Sequence, residues 1–210
     1  MADRAAVLAD LRAHLARVAP MRAAPPARLS TGLPTLDAAV QGWPRPGVAE
    51  VTGKPGSGRL RVLLPVLQDL THDGQRVALV DPVGWLNPPG LSGVILDRVL
   101  LVRPGATRAL WATEQLLRCG GLPLVVLIDP GPLGRAARKL QLAAEAGDAG
   151  LCVLGEAPDP QLPARVRLES LGAGRVRIRK GPARHQGREL DLGACGGTAP
   201  PLSLAPPGAR

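Results

Sequence analysis

An apolar run at residues 48–52 leads straight into Gly53-Lys54-Pro55-Gly56-Ser57-Gly58-Arg59-Leu60, and leucines at 60, 63, 64 and 67 continue at helical spacing. Strand, glycine turn and helix in that order constrain the chain to a β–turn–α unit, with backbone N–H groups converging where the helix begins. Nucleotide-binding phosphate loops share this layout and place a lysine on the outer phosphates and a hydroxyl on magnesium. Here those positions hold Arg59 and Leu60. Leucine cannot ligate a metal, so the layout survives without most of the chemistry. Taken alone, the same residues also fit an ordinary Gly/Pro-rich turn. Pro65 interrupts the helix expected over 57–70 and predicts a kink.

The rhythm downstream decides the fold class. Strands are expected at 76–81, 99–103, 124–128 and 151–154, and helices at 107–119 and 135–146. Such alternation predicts a mostly parallel central sheet flanked by helices on both faces. Residues 164–170 and 174–180 alternate instead, joined by a glycine turn, and read as antiparallel strands toward the C-terminus. In the second of them Val176 and Ile178 face inward and Arg175, Arg177 and Arg179 outward. Upstream, residues 30–37 form a turn and short helix that bring Trp43 against the first core strand.

Three segments follow. Residues 1–28 hold an amphipathic helix on Leu8, Leu11, Leu15 and Val18, with a Pro/Ala-rich linker, and this helix docks either on its own domain or on a partner. Residues 29–188 form the α/β domain, and 189–210 a flexible Gly/Pro-rich tail. With 210 residues the chain supports one substantial core, since a domain of about 150 residues buries roughly 68–70% of its extended surface.

The net charge of +9 makes an anionic partner plausible, and its placement is uneven: between Arg165 and Arg188 eight Arg/Lys face one acid, Glu169. Arg175, Arg177, Arg179, Lys180, Arg184 and Arg188 form a stripe with three readings: contact with DNA phosphates, a solvated edge strand that blocks aggregation, or a surface for an acidic protein. Three Trp with no Phe or Tyr give no base-stacking platform. Asp81 and Asp129 end strands where a metal-associated acid would stand, yet with no hydroxyl at 60 they read as vestigial, serving turns or caps. Lys54 or Arg59 retains charge enough to meet a phosphate. His72 beside Asp73 reads as an exposed turn, and neither His14 nor His185 joins a nucleophile motif. Cys119, Cys152 and Cys195 lack metal-ligand spacing and read as free thiols. No catalytic residue, metal site or cofactor is expected. No apolar run approaches the roughly 18 residues of a membrane span, and the N-terminus lacks a signal peptide's order, so a cytoplasmic protein is expected.

Several segments acquire meaning from their order: T-G-L-P-T-L-D, Q-G-W-P-R-P-G-V-A-E-V-T-G, V-A-L-V-D-P, L-L-V-R-P followed by A-L-W-A-T-E-Q-L-L-R, and V-V-L-I-D-P. Across 29–180 this succession resembles the ImuA family, RecA-like accessory proteins of bacterial damage-induced (SOS) mutagenesis. The resemblance implies a RecA-like P-loop core over 48–155 and a role in translesion synthesis after DNA damage. It also implies a polymerase-like partner, ImuB, and an error-prone replicative-type DNA polymerase. Relative to recombinases proper, Arg59 replaces the loop lysine, Leu60 the hydroxyl residue, and Val83 falls where the catalytic glutamate would match. The expectation is a non-catalytic adaptor. A DNA-binding module, a weak P-loop ATPase and an SOS-type cell-division inhibitor, which resembles the same non-hydrolysing offshoot, are the alternatives.

Overall fold

Strands that are apolar on both sides belong in the middle of a sheet with helices above and below, and this chain puts them there. The computed structural model describes residues 28–193. The helix expected on Leu8, Leu11, Leu15 and Val18 lies outside the described residues, as does the tail from 194 on.

A short antiparallel ribbon, β1 (Arg28–Leu29) with β2 (Trp43–Pro44), brackets α1 (Pro34–Val40). The main sheet then collects β3 (Gly47–Thr52), β4 (Val77–Val80), β5 (Val99–Val102), β6 (Leu124–Ile128), β7 (Gly150–Gly155), β8 (Val166–Gly172), β9 (Arg175–Lys180) and β10 (Glu189–Asp191). Their spatial order is β10-β9-β8-β3-β7-β6-β4-β5. Pairing is parallel from β5 through to β8 and antiparallel across β8, β9 and β10. The expected α/β architecture is therefore present, with the antiparallel strands toward the C-terminus.

Period-two alternation divides the core between the two faces. Ala49, Val51, Leu79, Val126 and Leu168 pack on one side with α1 and α2 (Leu64–His72), where Trp43 and Leu36 are fully enclosed. Val48, Ala78, Val125, Leu127 and Leu151 pack on the other with α3 (Ala106–Arg118) and α4 (Ala136–Ala146). In β9, Val176 and Ile178 are buried and Arg175 and Arg179 exposed, as the alternation requires.

Two expectations need correction. The helix after the glycine loop is not continuous over 57–70: a 3-10 turn at Leu60–Val62 precedes α2, which starts at Leu64. Pro65 sits in its first turn, where a missing N–H leaves nothing unsatisfied, so no kink arises. The domain also continues past Arg188. Glu189–Asp191 pair with β9, and Leu190, opposite Val176, is buried. β9 is thus an interior strand.

The two helices on the second face meet closely at their ends. A Cβ on Gly147, the residue capping α4, would lie 1.8 Å from the Leu117 carbonyl oxygen. Gly147→Ala is therefore expected to cost about 1–3 kcal/mol, the usual penalty for forcing packed elements apart. The urea midpoint measures it, and an unchanged midpoint would show that α3 yields freely. Among the described residues no helix is long and apolar enough to cross a membrane.

Candidate functional site

β3 delivers the glycine loop to the C-terminal edge of the sheet, where the loop is pulled down onto its neighbours. Gly53 has φ 148°, and a Cβ there would come within 2.7 Å of the Ser170 carbonyl oxygen, so only glycine fits without displacement. Its N–H donates to the carbonyls of Gly155 at 3.1 Å and Glu156 at 3.3 Å. Ser57 N–H closes a turn on the Lys54 carbonyl at 3.0 Å, and the Ser170 hydroxyl donates to the Ser57 carbonyl at 2.7 Å. Lys54 and Gly56 are exposed at the tip, and Gly58 leads into the 3-10 turn.

Arg59 does not reach outward toward an anion. Its Nη1 donates to Asp129 Oδ1 at 2.6 Å and its Nη2 to Oδ2 at 2.9 Å. The two side chains are 10% and 17% exposed. This fork-to-fork geometry is open to arginine and closed to lysine. Asp129, at φ 43° just beyond β6, is fixed by its own N–H on the Leu154 carbonyl. The cation expected to meet a phosphate and the acid expected beside a metal neutralise one another.

Asp81 is also engaged. Fully buried at the end of β4, it accepts N–H bonds from Gly84, Trp85 and Leu86 at 2.9, 3.1 and 2.8 Å and faces Arg103 at 3.6 Å. An aspartate that collects three successive amides folds the following segment into a tight turn. That turn pushes Val83 and Trp85 into solvent, where they are 50% and 61% exposed. Val83, expected where a catalytic glutamate would match, presents an aliphatic side chain there. Among the described residues the His72 ring meets the Gly93 carbonyl, at 3.1 Å.

The basic stripe is partly neutralised within the sheet. Arg177 donates to Glu169 at 3.2 Å and to Glu189 at 3.1 Å, and Arg179 to Glu169 at 2.9 Å. The hydrogen bond from Arg177 holds the Glu189 carboxyl below its ordinary value. Arg175, Lys180, Arg184 and Arg188 stay exposed, with Arg184 Nε 3.0 Å from His185 Nε2. Glu189 escaped the sequence reading because it lies beyond Arg188, in the segment expected to fray.

A second polar centre was missed altogether. Glu50, 1% exposed in the middle of β3, accepts the Asp159 N–H at 2.8 Å and is ion-paired with Arg167 on β8. Burial pushes its carboxyl above the ordinary range despite that partner. Arg167 Nη2 donates to the Asp159 carbonyl, and the Asp159 carboxylate accepts the N–H groups of Leu133 and Gln161, each at 2.8 Å. The only sequence signal was a lone glutamate in the apolar run V-A-E-V-T. This network floors a cavity of about 540 Å³ between residues 130–134 and 156–161, with Val83 and Trp85 on its rim.

Comparison with known proteins agrees with this fold. No family model matches the chain. It is 32% identical over 125 residues to Protein RecA of Halalkalibacterium halodurans, covering 57% of this chain and 35% of that protein. Against Protein RecA of Bacillus licheniformis it is 35% identical over 108 residues, covering 48% and 31%. The chain thus spans about a third of the length of these curated relatives. Among solved structures, the RadB recombinase superposes with a TM-score of 0.61 at 19% identity, covering 77% of this chain and 93% of that one. The chain is RecA-like in its fold and, over about half of its length, in its sequence.

Proposed function

We propose that this chain is a non-hydrolysing RecA-like adaptor of damage-induced translesion DNA synthesis, holding a polymerase-like partner of the ImuB type and, through it, an error-prone replicative-type DNA polymerase. The observation that carries the reading is the bidentate Arg59–Asp129 pair. A nucleotide enzyme keeps a cation free for the outer phosphates and an acid free for metal or water. Here each cancels the other, Leu60 offers no ligand and Val83 no base. What remains is a rigid scaffold, and the ordered motifs of residues 29–180 supply the translesion part of the reading.

Proteins retained by the tagged chain from DNA-damaged cells, after nuclease treatment and against an untagged control, test it by mass spectrometry. Enrichment of the polymerase-like protein or the error-prone polymerase supports the adaptor. Their reproducible absence with intact bait removes it, and retention of the division tubulin in their place, with filamentous cells on expression, supports the cell-division inhibitor. The chemical half has its own test. Restoring the loop by Arg59→Lys with Leu60→Thr is expected to give no ATP turnover above background, because Val83 still cannot orient water. Turnover by the unaltered chain would overturn the non-hydrolysing assignment.

A DNA-binding module keeps one observation in its favour, four exposed cations of the stripe outside its ion pairs with Glu169 and Glu189: Arg175, Lys180, Arg184 and Arg188. It predicts salt-dependent binding to any duplex, weakened by neutralising those four.

A further inference from the structure

We propose that the cavity between residues 130–134 and 156–161 is a docking groove for a segment of a partner protein that carries a bulky apolar side chain beside a lysine or arginine. The walls are prolines, glycines and aliphatics, among them Pro130, Pro132, Leu133 and Pro158, and the rim carries the exposed Val83 and Trp85. Two large apolar side chains standing in water beside a ready-made apolar cavity are the arrangement of an unoccupied interface.

The groove is held open. Glu50, Arg167 and Asp159 tie the 156–161 wall to β3 and β8, and the Asp159 carboxylate reaches across to the Leu133 amide on the facing wall. Asp81 fixes the turn that presents Trp85. Binding therefore forfeits little order that is not already in place.

Charge selects the occupant. Although the chain carries a net charge of +9, the described residues that line the cavity include Glu50, Asp129, Glu156 and Asp159 and no lysine or arginine. Arg167 and Arg59 answer Glu50 and Asp129 from behind, and Asp159 is satisfied by backbone amides. Glu156 stays exposed on the rim. Glu156, the one acid of this lining with no such partner among the described residues, favours a cation next to the apolar anchor over a phosphodiester backbone. The groove deepens the adaptor reading and rests on it only for the identity of the partner.

The test uses the full chain and two labelled peptides, one of leucine and lysine in amphipathic register and one with glutamate for every lysine, read by fluorescence anisotropy. Non-specific attraction to a cationic protein favours the glutamate peptide, so a preference for the lysine peptide reports the groove. Saturable binding of the lysine peptide is expected, weakened about tenfold or more by Trp85→Ala and independently by Glu156→Lys, and weakened by salt. Both side chains are exposed, so the variants should keep the parent's unfolding midpoint. Equal binding of the two peptides, no binding, unchanged affinity in both variants, or displacement by a single-stranded oligonucleotide would each overturn the proposal. Failure here leaves the co-purification test of the adaptor role intact, and failure of that test leaves the groove.

Discussion

Asp129→Ala is expected to destabilise the domain by about 3–5 kcal/mol, the cost of leaving a buried charge without its partner. Arg59 is 10% exposed on its side chain, packed under the glycine loop, and both of its terminal nitrogens bond to Asp129. The loss therefore falls on the desolvated guanidinium more than on the missing carboxylate. Removing both charges together, as Arg59→Met with Asp129→Asn, should recover most of the stability, because no buried charge is then left without a partner and asparagine tolerates the left-handed backbone at 129. Urea unfolding of the two single variants and the double variant measures the coupling. Additive losses would mean that the two groups do not depend on each other, and the account of the closed loop would fall.

Arg167→Ala should cost a similar amount at neutral pH, about 3–5 kcal/mol by the same reasoning, and its cost should depend on acidity. Glu50 is 1% exposed, and burial holds its carboxyl above the ordinary value of 4.5 even with Arg167 in place. Between the ordinary value and the raised one the folded chain binds the proton more readily than the unfolded chain. Stability from this group is therefore full below the ordinary value and falls as the pH rises through the window. Without Arg167 the folded-state value moves higher still, and the window extends upward. Below the ordinary value Glu50 is neutral in both states, so the variant's deficit should shrink to lost packing and hydrogen bonds. Unfolding at neutral pH and at a pH below that value compares the two, with Glu50→Gln as the control that flattens the profile. A deficit of the same size at both would show that Glu50 does not carry the charge.

How much of this was legible in the sequence depended on the range of the interaction involved. The run L-V-V-L-I, bounded by Pro123 and Asp129, became β6 with the expected ends, because a fully apolar strand between turn residues admits little else. The alternation in R-V-R-I-R-K likewise set which face of β9 is buried. The helix after the glycine loop differs from its leucine spacing because that spacing runs on through Pro65, which lies in the first turn of α2.

The site was less legible. Arg59 and Asp129 were each read for a separate phosphate or metal role, and nothing local announces that they meet. Their pairing follows from the strand order, which leaves only β7 between the ends of β3 and β6. Glu50 and Arg167 are direct cross-strand neighbours, but only once β8 lies parallel to β3. The Asp81 turn and the cavity rim it presents belong to the same class of tertiary consequence.

The placement of β3 also bears on how the chain reaches its native state. Its partners on both sides, β7 and β8, are encoded far downstream, whereas β4, β5 and β6 pair among themselves much nearer in sequence. During synthesis the apolar β3 must wait, unpaired, until nearly the whole domain has left the ribosome, since loop closure over such a span precedes any contact that rewards it. An early, growing nucleus of β4, β5 and β6 would then be completed by late insertion of the strand that carries the glycine loop. In that interval β3 has neither neighbour to pair with, the exposed state in which apolar strands are most prone to aggregate.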